Sequence, residues 1–146
     1  MTSKKRPSWP EYFERIAEFA ATRSQCHARQ VGAVIVQEKH IIATGYNGVP
    51  TGIEPCQHCH RQAYEPGKGY AVCPANHAEA NAIAQAAKLG VSTAGASIYC
   101  TYAPCKDCVG LLINAGIYMV FSPLLKKGSL AKELLDESKI IKGVID

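Results

Sequence analysis

Four residues in two short segments have the types and the spacing of a metal site that does chemistry. His77 and Glu79 lie in the segment HAE, and Cys105 and Cys108 lie in the segment PCKDC. A catalytic zinc ion takes three protein ligands and leaves its fourth tetrahedral position to water. One imidazole and two thiolates supply that number, so we predict that His77, Cys105 and Cys108 bind a catalytic zinc ion.

Glu79 is predicted to move protons instead of binding the metal. Zinc lowers the pKa of water from about 15.7 to about 7, which makes hydroxide available near neutral pH. A carboxylate two residues from His77 is close enough to take a proton from that water and to return it to the substrate. The motifs therefore indicate a hydrolytic site in which Glu79 is the catalytic residue.

Other interpretations of the same motifs are weaker. An isolated C-x-x-C pair also occurs in redox proteins and in structural zinc knuckles, and an isolated HAE segment arises by chance. A zinc-stabilised nucleic-acid-binding module without activity is a further alternative, but a structural metal has no use for a carboxylate at Glu79. The two motifs together, with Pro104 directly before the first cysteine, favour catalysis.

The composition is that of one globular domain. The chain has 146 residues, of which 47% are hydrophobic and 19% are charged, so we expect a single domain over residues 1–146. No run approaches 18 apolar residues, and no membrane span is expected. The net charge of +4 is mild. It suits an anionic small molecule and does not by itself favour a nucleic-acid partner.

The seven cysteines indicate a reduced protein. Their number is odd, and their spacing differs from that of a secreted disulfide framework. The first residues, MTSKKRPSWP, are followed by an amphipathic segment and not by the apolar stretch of a signal peptide. We therefore expect a cytoplasmic protein, located in the host cytoplasm if a phage encodes it.

A second set of cysteines lies outside the catalytic motifs. We predict that they form a closed structural zinc site, because four ligands would pin the long irregular segment 47–76. His58 or His60 could replace one of them, and the alternative is that several are free thiols. The segment CQHCH also matches a haem-attachment motif, but the missing export signal argues against haem. The predicted ligands are Cys26, Cys56, Cys59 and Cys73.

Hydrophobic periodicity predicts strands that alternate with helices after an initial hairpin, which implies a layered α/β sheet. Ser8 and Glu11 form a capping-box pattern before the first helix, and Gly90 and Gly116 mark the ends of two later helices. Cys100 lies inside a strand and is expected in the core. The predicted helices cover about 9–23, 77–89, 105–115 and 129–138, and the predicted strands cover 31–36, 41–46, 97–101, 118–122 and 140–145.

Taken together, the motifs resemble those of the deoxycytidylate (dCMP) deaminases of the cytidine deaminase superfamily, including phage and bacterial members. H-x-E followed by P-C-x-x-C is typical of zinc deaminases that act on nucleobases. The resemblance runs from about residue 8 to 145 and includes SQCHARQVGAVIV, ATGYNGVPTG and HAEANAI. It implies a three-layer α/β/α fold with a five-stranded mixed sheet in the order 2-1-3-4-5. It also implies hydrolysis of dCMP to ammonia and dUMP, the precursor for thymidylate synthesis.

The resemblance implies roles for residues outside the catalytic metal site. Asn47 is expected to contact the nucleotide substrate, and the backbone of Ala103 is expected to receive the leaving amino group. Cysteines at the positions of Cys26 and Cys56 help to hold a second zinc ion in some family members. This agrees with the second site predicted from ligand counting.

A 5′-phosphate on the substrate would suit the positive charge of the chain. The candidate phosphate ligands are Arg29, Lys126 and Lys127. Some phage relatives carry an aromatic residue and an arginine at the positions of Gln85 and Lys88. The sequence departs from the family there, which leaves the phosphate contacts and the subunit packing open.

By the same resemblance we expect a homo-oligomer, a hexamer, activated by dCTP and inhibited by dTTP, each with Mg²⁺. The Gly-rich segment from Gly45 to Gly52 has the composition of a triphosphate site, and a simple hairpin turn is the alternative. Two related activities also share the zinc signature: a tRNA adenosine deaminase, and a free-cytidine or blasticidin-type deaminase that needs no phosphate site. The predicted effector contacts are Gly45, Tyr46, Asn47 and Gly48.

Overall fold

The fold is built on one mixed β-sheet. The computed structural model describes residues 4–145, so residues 1–3 and 146 of the predicted domain lie outside the described part. The five strands are β1 Gly32–Gln37, β2 His40–Tyr46, β3 Ser97–Cys100, β4 Met119–Ser122 and β5 Ile141–Val144. Their order is β2-β1-β3-β4-β5. Strand β1 runs antiparallel to β2 and β3, whereas β3, β4 and β5 are parallel.

Four α-helices and one short 3₁₀ helix complete the described part of the chain. Within residues 4–145, no helix combines the length and the hydrophobicity needed to cross a bilayer. The helices are α1 Trp9–Ala21, α2 Ala78–Leu89, α3 Lys106–Asn114 and α4 Leu130–Glu137, and the 3₁₀ helix is Tyr70–Val72.

The helices lie on both faces of the sheet, and β1 is therefore buried on both sides. Ala33 and Ile35 face a core cluster that contains residues of α2, α3 and α4. Val34 and Val36 point to the opposite face, where they pack with Phe13 of α1. This alternation is the period of two that a strand imposes on its side chains. The structure thus confirms the three-layer α/β/α fold and the strand order expected from the resemblance.

Signals in the sequence set most of the element ends. The Ser8 hydroxyl accepts a hydrogen bond from the Glu11 backbone N–H, and the Glu11 carboxylate accepts one from the Ser8 backbone N–H, which confirms the capping box. Gly90 ends α2 in the left-handed conformation with φ of 70°. The predicted boundaries differ from the observed ones by one or two residues; the first helix, for example, ends at Ala21 and not at residue 23.

The β1–β2 hairpin closes through a tight two-residue turn. Gln37 pairs with His40, so Glu38 and Lys39 form the turn between them. Both turn residues have positive φ, 50° and 64°, the geometry of a type I′ turn. The hairpin was predicted from the two β-branched runs, although the turn lacks the Asn-Gly pair that usually signals this geometry.

Two glycines allow helices to pack against the hairpin at very short distance. A Cβ atom on Gly32 would lie 2.0 Å from the Ala17 carbonyl oxygen of α1. A Cβ atom on Gly45 would lie 2.2 Å from the Ala78 carbonyl oxygen of α2. Because real Cβ atoms do not approach backbone so closely, both helix–sheet contacts require glycine. The contact at Gly45 fixes the start of α2 against the end of β2.

Side chains of α2 cap the open edge of β2, which is an outer strand of the sheet. Gln85 accepts a hydrogen bond of 2.6 Å from the Thr44 backbone N–H. The side-chain amide of Asn81 donates a hydrogen bond of 2.8 Å to the Tyr46 carbonyl. Gln85, a position where the sequence analysis expected a difference from some phage relatives, therefore has a structural partner in this protein.

Candidate active site

The predicted zinc ligands converge at the N-termini of two helices. His77 is the N-cap residue of α2, Cys105 is the N-cap residue of α3, and Cys108 lies in the first turn of α3. The His77 Nδ1 atom lies 3.4 Å from each cysteine Sγ atom. Tetrahedral zinc, with bonds of about 2.0 Å to nitrogen and about 2.3 Å to sulfur, separates these atoms by about 3.5 Å. The three side chains therefore fit a zinc ion with little rearrangement.

The electrostatics of the cluster suit metal binding. Hydrogen bonds from Cys108 and His77 lower the pKa of the Cys105 thiol to about 4. The contact with Cys105, together with burial, raises the pKa of Cys108. The hydrogen bond to Cys105 also raises the pKa of His77. The lowered pKa favours the thiolate form of Cys105, which is a form that zinc binds. Zinc binds cysteine as thiolate and histidine as neutral imidazole, so its binding would release protons from Cys108 and His77.

Glu79 lies in the first turn of α2, beside the ligands, and its side chain is only 3% exposed. Burial raises the pKa of the Glu79 carboxyl above its ordinary value. Hydrogen bonds from its own backbone N–H and from Cys108 oppose that increase in pKa. A carboxyl with a raised pKa next to a metal-binding cluster is suited to accept and return a proton. Cys100, predicted as a core residue, is fully buried.

An open cleft of about 570 Å³ adjoins the metal cluster. Ala103 and Cys105 line its floor from the loop between β3 and α3, while Lys126 and Ser129 line it from the segment before α4. Its volume lies within the range of small-molecule sites, about 300–1,000 Å³. Ala103, expected to contact the substrate, therefore borders a space of the size of small-molecule sites.

Asn47 has a structural task in addition to the substrate contact expected from the resemblance. Its side-chain oxygen accepts a hydrogen bond of 2.8 Å from the Val31 N–H, and its side-chain N–H donates one of 2.8 Å to the Arg29 carbonyl. The buried Ser24 hydroxyl donates to the Asn47 carbonyl. These bonds fix the segment before β1 to the loop after β2. One oxygen lone pair and one N–H of the Asn47 amide are left for a ligand.

The three candidate phosphate ligands differ in position. Arg29 stacks on Tyr102, with its guanidinium carbon 4.0 Å from the ring centroid, and Tyr102 borders the cleft. Lys126 lines the cleft, whereas Lys127 is not among the lining residues. The sequence did not indicate Lys106, which also lines the cleft but pairs with its neighbour Asp107.

The segment predicted to hold an effector is largely occupied by structural contacts. Gly45 is buried against α2, as described above, so its lack of a side chain has a packing cause. Gly48 and Asn76 exchange two backbone hydrogen bonds that close the base of the long loop 49–75. Tyr46 is 37% exposed and accessible to a ligand.

The second set of cysteines lies in the loop 49–75 and in the segment before β1, and none of the four is joined in a disulfide. The His27 ring nitrogen lies 2.8 Å from the Cys56 carbonyl oxygen, which brings Cys26 and Cys56 into neighbouring segments. The His60 ring lies 3.3 Å from the Val72 carbonyl oxygen. Within residues 4–145, however, the metal cluster of His77, Cys105 and Cys108 is the only group in which three possible metal-ligand atoms lie within 4.8 Å of one another.

The sequence analysis missed Tyr70, which lines the same cleft. Its ring lies edge-on to the His77 imidazole, with the two centroids 6.4 Å apart. The Arg61 guanidinium carbon lies 3.8 Å from the Tyr70 ring centroid. No motif marks either residue, because both lie in an irregular loop without periodicity.

Comparisons with known proteins agree with this geometry. A family model for the cytidine and deoxycytidylate deaminase zinc-binding region matches residues 7–122. The deoxycytidylate deaminase of Mycobacterium phage D29 is 41% identical over 125 residues, which cover 81% of this chain and 96% of the phage protein. The deoxycytidylate deaminase of Saccharomyces cerevisiae is 40% identical over 114 residues. That match covers 77% of this chain but only 36% of the yeast protein.

A solved structure matches nearly the whole chain. The dCMP deaminase of the cyanophage S-TIM5, crystallised in complex with dCMP and dUMP, superposes with a TM-score of 0.81. The two sequences are 27% identical, and the match covers 97% of this chain and 99% of the phage chain. The similarity extends over all three layers of the fold and includes the elements that carry the metal cluster.

Proposed function

This chain belongs to the cytidine and deoxycytidylate deaminase family, and we propose that it hydrolyses dCMP to dUMP and ammonia. The observation that carries the proposal is the buried Glu79 beside the convergent ligands His77, Cys105 and Cys108. A zinc ion alone would need only the three ligands. A carboxylate with a raised pKa at this place supplies the proton transfer that deamination requires.

The residues divide the chemistry among them. Zinc held by His77, Cys105 and Cys108 supplies Lewis acidity that makes water nucleophilic near neutral pH. Glu79 takes a proton from the attacking water and delivers it to the ring nitrogen next to C4 of cytosine. The water oxygen forms a bond to C4, and Glu79 passes the second proton of the water to the amino group. The C4–N bond then breaks and ammonia leaves. The Ala103 carbonyl is proposed to accept a hydrogen bond from the departing amine.

The substrate is proposed to carry a 5′-phosphate. Lys126 supplies positive charge at the cleft, and Ser129 adds a hydroxyl. Arg29 does not line the cleft but lies over the ring of Tyr102, which borders it. A few charge-assisted hydrogen bonds of about 1.5–3 kcal/mol each are sufficient for a hundredfold preference. We therefore expect dCMP to be preferred over deoxycytidine by at least about a hundredfold in kcat/KM.

The test is the release of ammonia from dCMP, CMP, deoxycytidine and cytidine, measured side by side with the same enzyme preparation. Turnover of dCMP alone or above all others supports the proposal. Equal turnover of nucleoside and nucleotide would reject the phosphate site and favour a free-cytidine deaminase. The absence of any deamination by a zinc-loaded protein would reject the function.

A second, structural zinc ion is also proposed, held by Cys26, Cys56 and two further ligands from Cys59, Cys73, His58 and His60. The neighbouring positions of the segments around Cys26 and Cys56 support it. A closed site in this region would order a loop that has few backbone bonds to the rest of the protein. The free thiols of the set also suit a reducing cytoplasm, the proposed location.

Regulation is proposed by analogy with the family. In this proposal the protein forms a hexamer that is activated by dCTP and inhibited by dTTP, each with Mg²⁺, and supplies dUMP for thymidylate synthesis. The exposed Tyr46 and the free hydrogen-bonding capacity of Asn47 support an effector contact in this segment. Since Asn47 also holds the segment that carries Arg29, an effector there would act on the substrate site through a short path.

A further inference from the structure

The loop 49–75 is closed at its base, beside the metal cluster. Gly48 and Asn76 close its base through backbone hydrogen bonds of 3.1 and 2.8 Å. Asn76 directly precedes the metal ligand His77. The loop therefore leaves and rejoins the fold beside the metal cluster, and its C-terminal end leads into the first metal ligand, His77.

One arginine organises the part of this loop that faces the cleft. Arg61 donates a hydrogen bond of 2.8 Å from Nε to the Lys68 carbonyl. The same guanidinium group lies over the ring of Tyr70 at 3.8 Å. Gly69, between these two contacts, has φ of 76°, and a Cβ atom there would lie 2.5 Å from the Tyr64 ring. This turn requires glycine, and it presents Tyr70 to the cleft.

The Tyr70 ring forms a wall of the cleft opposite the start of α4. It is 55% exposed, although Arg61 covers one of its faces. Its centroid lies 6.4 Å from that of the His77 imidazole. Tyr70 lines the cleft together with Ala103 and the metal ligand Cys105, so a ring bound there beside the metal cluster has Tyr70 within the same lining. Aromatic rings offer such a ligand a large contact surface at low entropic cost.

Arg61 also contributes charge. Within residues 4–145 it takes part in none of the side-chain ion pairs, which join Lys106, Lys132 and Lys142 to aspartates. Its guanidinium group therefore contacts the Tyr70 ring and the Lys68 carbonyl, and among the described residues no carboxylate pairs with it. A cation over one face of an aromatic ring stabilises the ring in one orientation.

We propose that Tyr70 is a substrate-contact residue that forms one wall of the nucleotide site, and that Arg61 is its positioning residue. The inference rests on the proposed deamination of dCMP and extends it to the loop 49–75. Tyr70 contacts the bound nucleotide equally before and during the reaction, so it acts on binding and not on the chemical step. Arg61 acts through Tyr70 and touches no reacting atom.

The experiment compares Tyr70→Ala, Tyr70→Phe and Arg61→Gln with the wild-type enzyme. Tyr118→Ala is the matched control, because Tyr118 is similarly exposed, at 51%, and precedes β4 at the end of the parallel strands away from the site. The measurements are kcat and KM for dCMP, the Kd of the product dUMP by calorimetry, and the zinc content by elemental analysis.

We expect Tyr70→Ala to raise both KM and the Kd of dUMP by about tenfold, with kcat within about threefold of wild type. Tyr70→Phe should bind like wild type, since the ring remains. Arg61→Gln should weaken binding less than Tyr70→Ala, and adding it to Tyr70→Ala should have no further effect, because a positioning residue acts only through its partner. Tyr118→Ala should match wild type.

Two results would overturn the proposal. Binding by Tyr70→Ala within twofold of wild type would show that the ring does not contact the nucleotide, and loss of zinc from this variant would show that it supports the metal site instead. If Tyr70→Ala does not fold, Tyr70→Leu keeps most of the apolar volume and decides by the same criteria. A wild-type enzyme that releases no ammonia from dCMP rejects the proposed function itself, whereas dUMP binding still tests Tyr70.

Discussion

Glu79 owes its chemical character to its surroundings. The side chain is 3% exposed, and burial raises the pKa of its carboxyl, while hydrogen bonds from its own backbone and from Cys108 lower that pKa. The net effect is a pKa above the ordinary value of a glutamate, which suits a group that accepts and returns protons. The hydrogen bond between Glu79 and Cys108 joins the proposed catalytic residue directly to one of the metal ligands.

Replacing Glu79 by glutamine should separate catalysis from structure. The amide has nearly the volume of the carboxyl but cannot transfer the proton, so we expect Glu79→Gln to lower kcat for dCMP by about a thousandfold or more. Ammonia release measures the loss. Circular dichroism and zinc analysis should match wild type, and activity within tenfold of wild type would contradict the role of Glu79.

A second prediction at this scale concerns the structural task of Asn47. Asn47→Ala leaves the Val31 N–H and the Arg29 carbonyl without their side-chain partner. We expect the free energy of unfolding, measured with urea, to fall by about 1–3 kcal/mol. Asn47→Asp keeps the acceptor for Val31 but sets a carboxylate oxygen against the Arg29 carbonyl, so it should not restore the stability. An unchanged stability with a raised KM would mean that Asn47 serves the substrate alone.

At the scale of elements, the position of α2 depends on a glycine in β2. The Cβ atom of Gly45→Ala would meet the backbone of Ala78 and Ala82 at 2.2 and 2.5 Å. Because α2 begins at the metal ligand His77, displacement of the helix would disturb the site as well as the core. Gly48, three residues later, has open space where a Cβ atom would lie.

We therefore expect Gly45→Ala to lower the free energy of unfolding by at least about 1–3 kcal/mol, the range for an overpacked core. Gly48→Ala is the matched control and should change stability by less than about 0.5 kcal/mol. Chemical denaturation of the two variants gives the comparison. Equal stability of both variants would show that α2 moves away from β2 without loss.

The sequence predicts those elements whose ends carry a local chemical signal. Ser8 and Glu11 start α1, Gly90 ends α2, and Cys105 with Cys108 marks the start of α3, because each signal lies within one turn of the helix end that it marks. The metal site was predictable for the same reason. The orientation of Tyr70 was not, since it depends on Arg61, nine residues earlier in an irregular loop.

For the molecule as a whole, the metal content tests how the loop 49–75 is ordered. We expect two zinc ions per chain by elemental analysis, one in the catalytic cluster and one held by Cys26, Cys56 and neighbouring ligands. Cys26→Ser should reduce the content to one and lower thermal stability, because a metal that binds only the folded state stabilises it. A content near one in the wild type, with Cys26→Ser as stable as wild type, would remove the second site.

Assembly and regulation give the last prediction. If the protein is a regulated hexamer, it should elute well above the 15.7 kDa of one chain. Its rate should depend sigmoidally on dCMP concentration without effector and hyperbolically with dCTP and Mg²⁺, since an activator shifts the population toward the state that it binds better. Hyperbolic kinetics that neither dCTP nor dTTP changes would reject the regulatory site.

The capped edge of β2 limits how copies of this chain can join. An outer strand with unpaired N–H and C=O groups is a template on which a strand from another molecule can add, the first step of many aggregates. Here Gln85 already accepts the hydrogen bond of Thr44, and Asn81 already donates to Tyr46. Strand addition would have to break both bonds. At the Thr44–Tyr46 end of this edge, the protein is therefore protected against growth into a continuous intermolecular sheet.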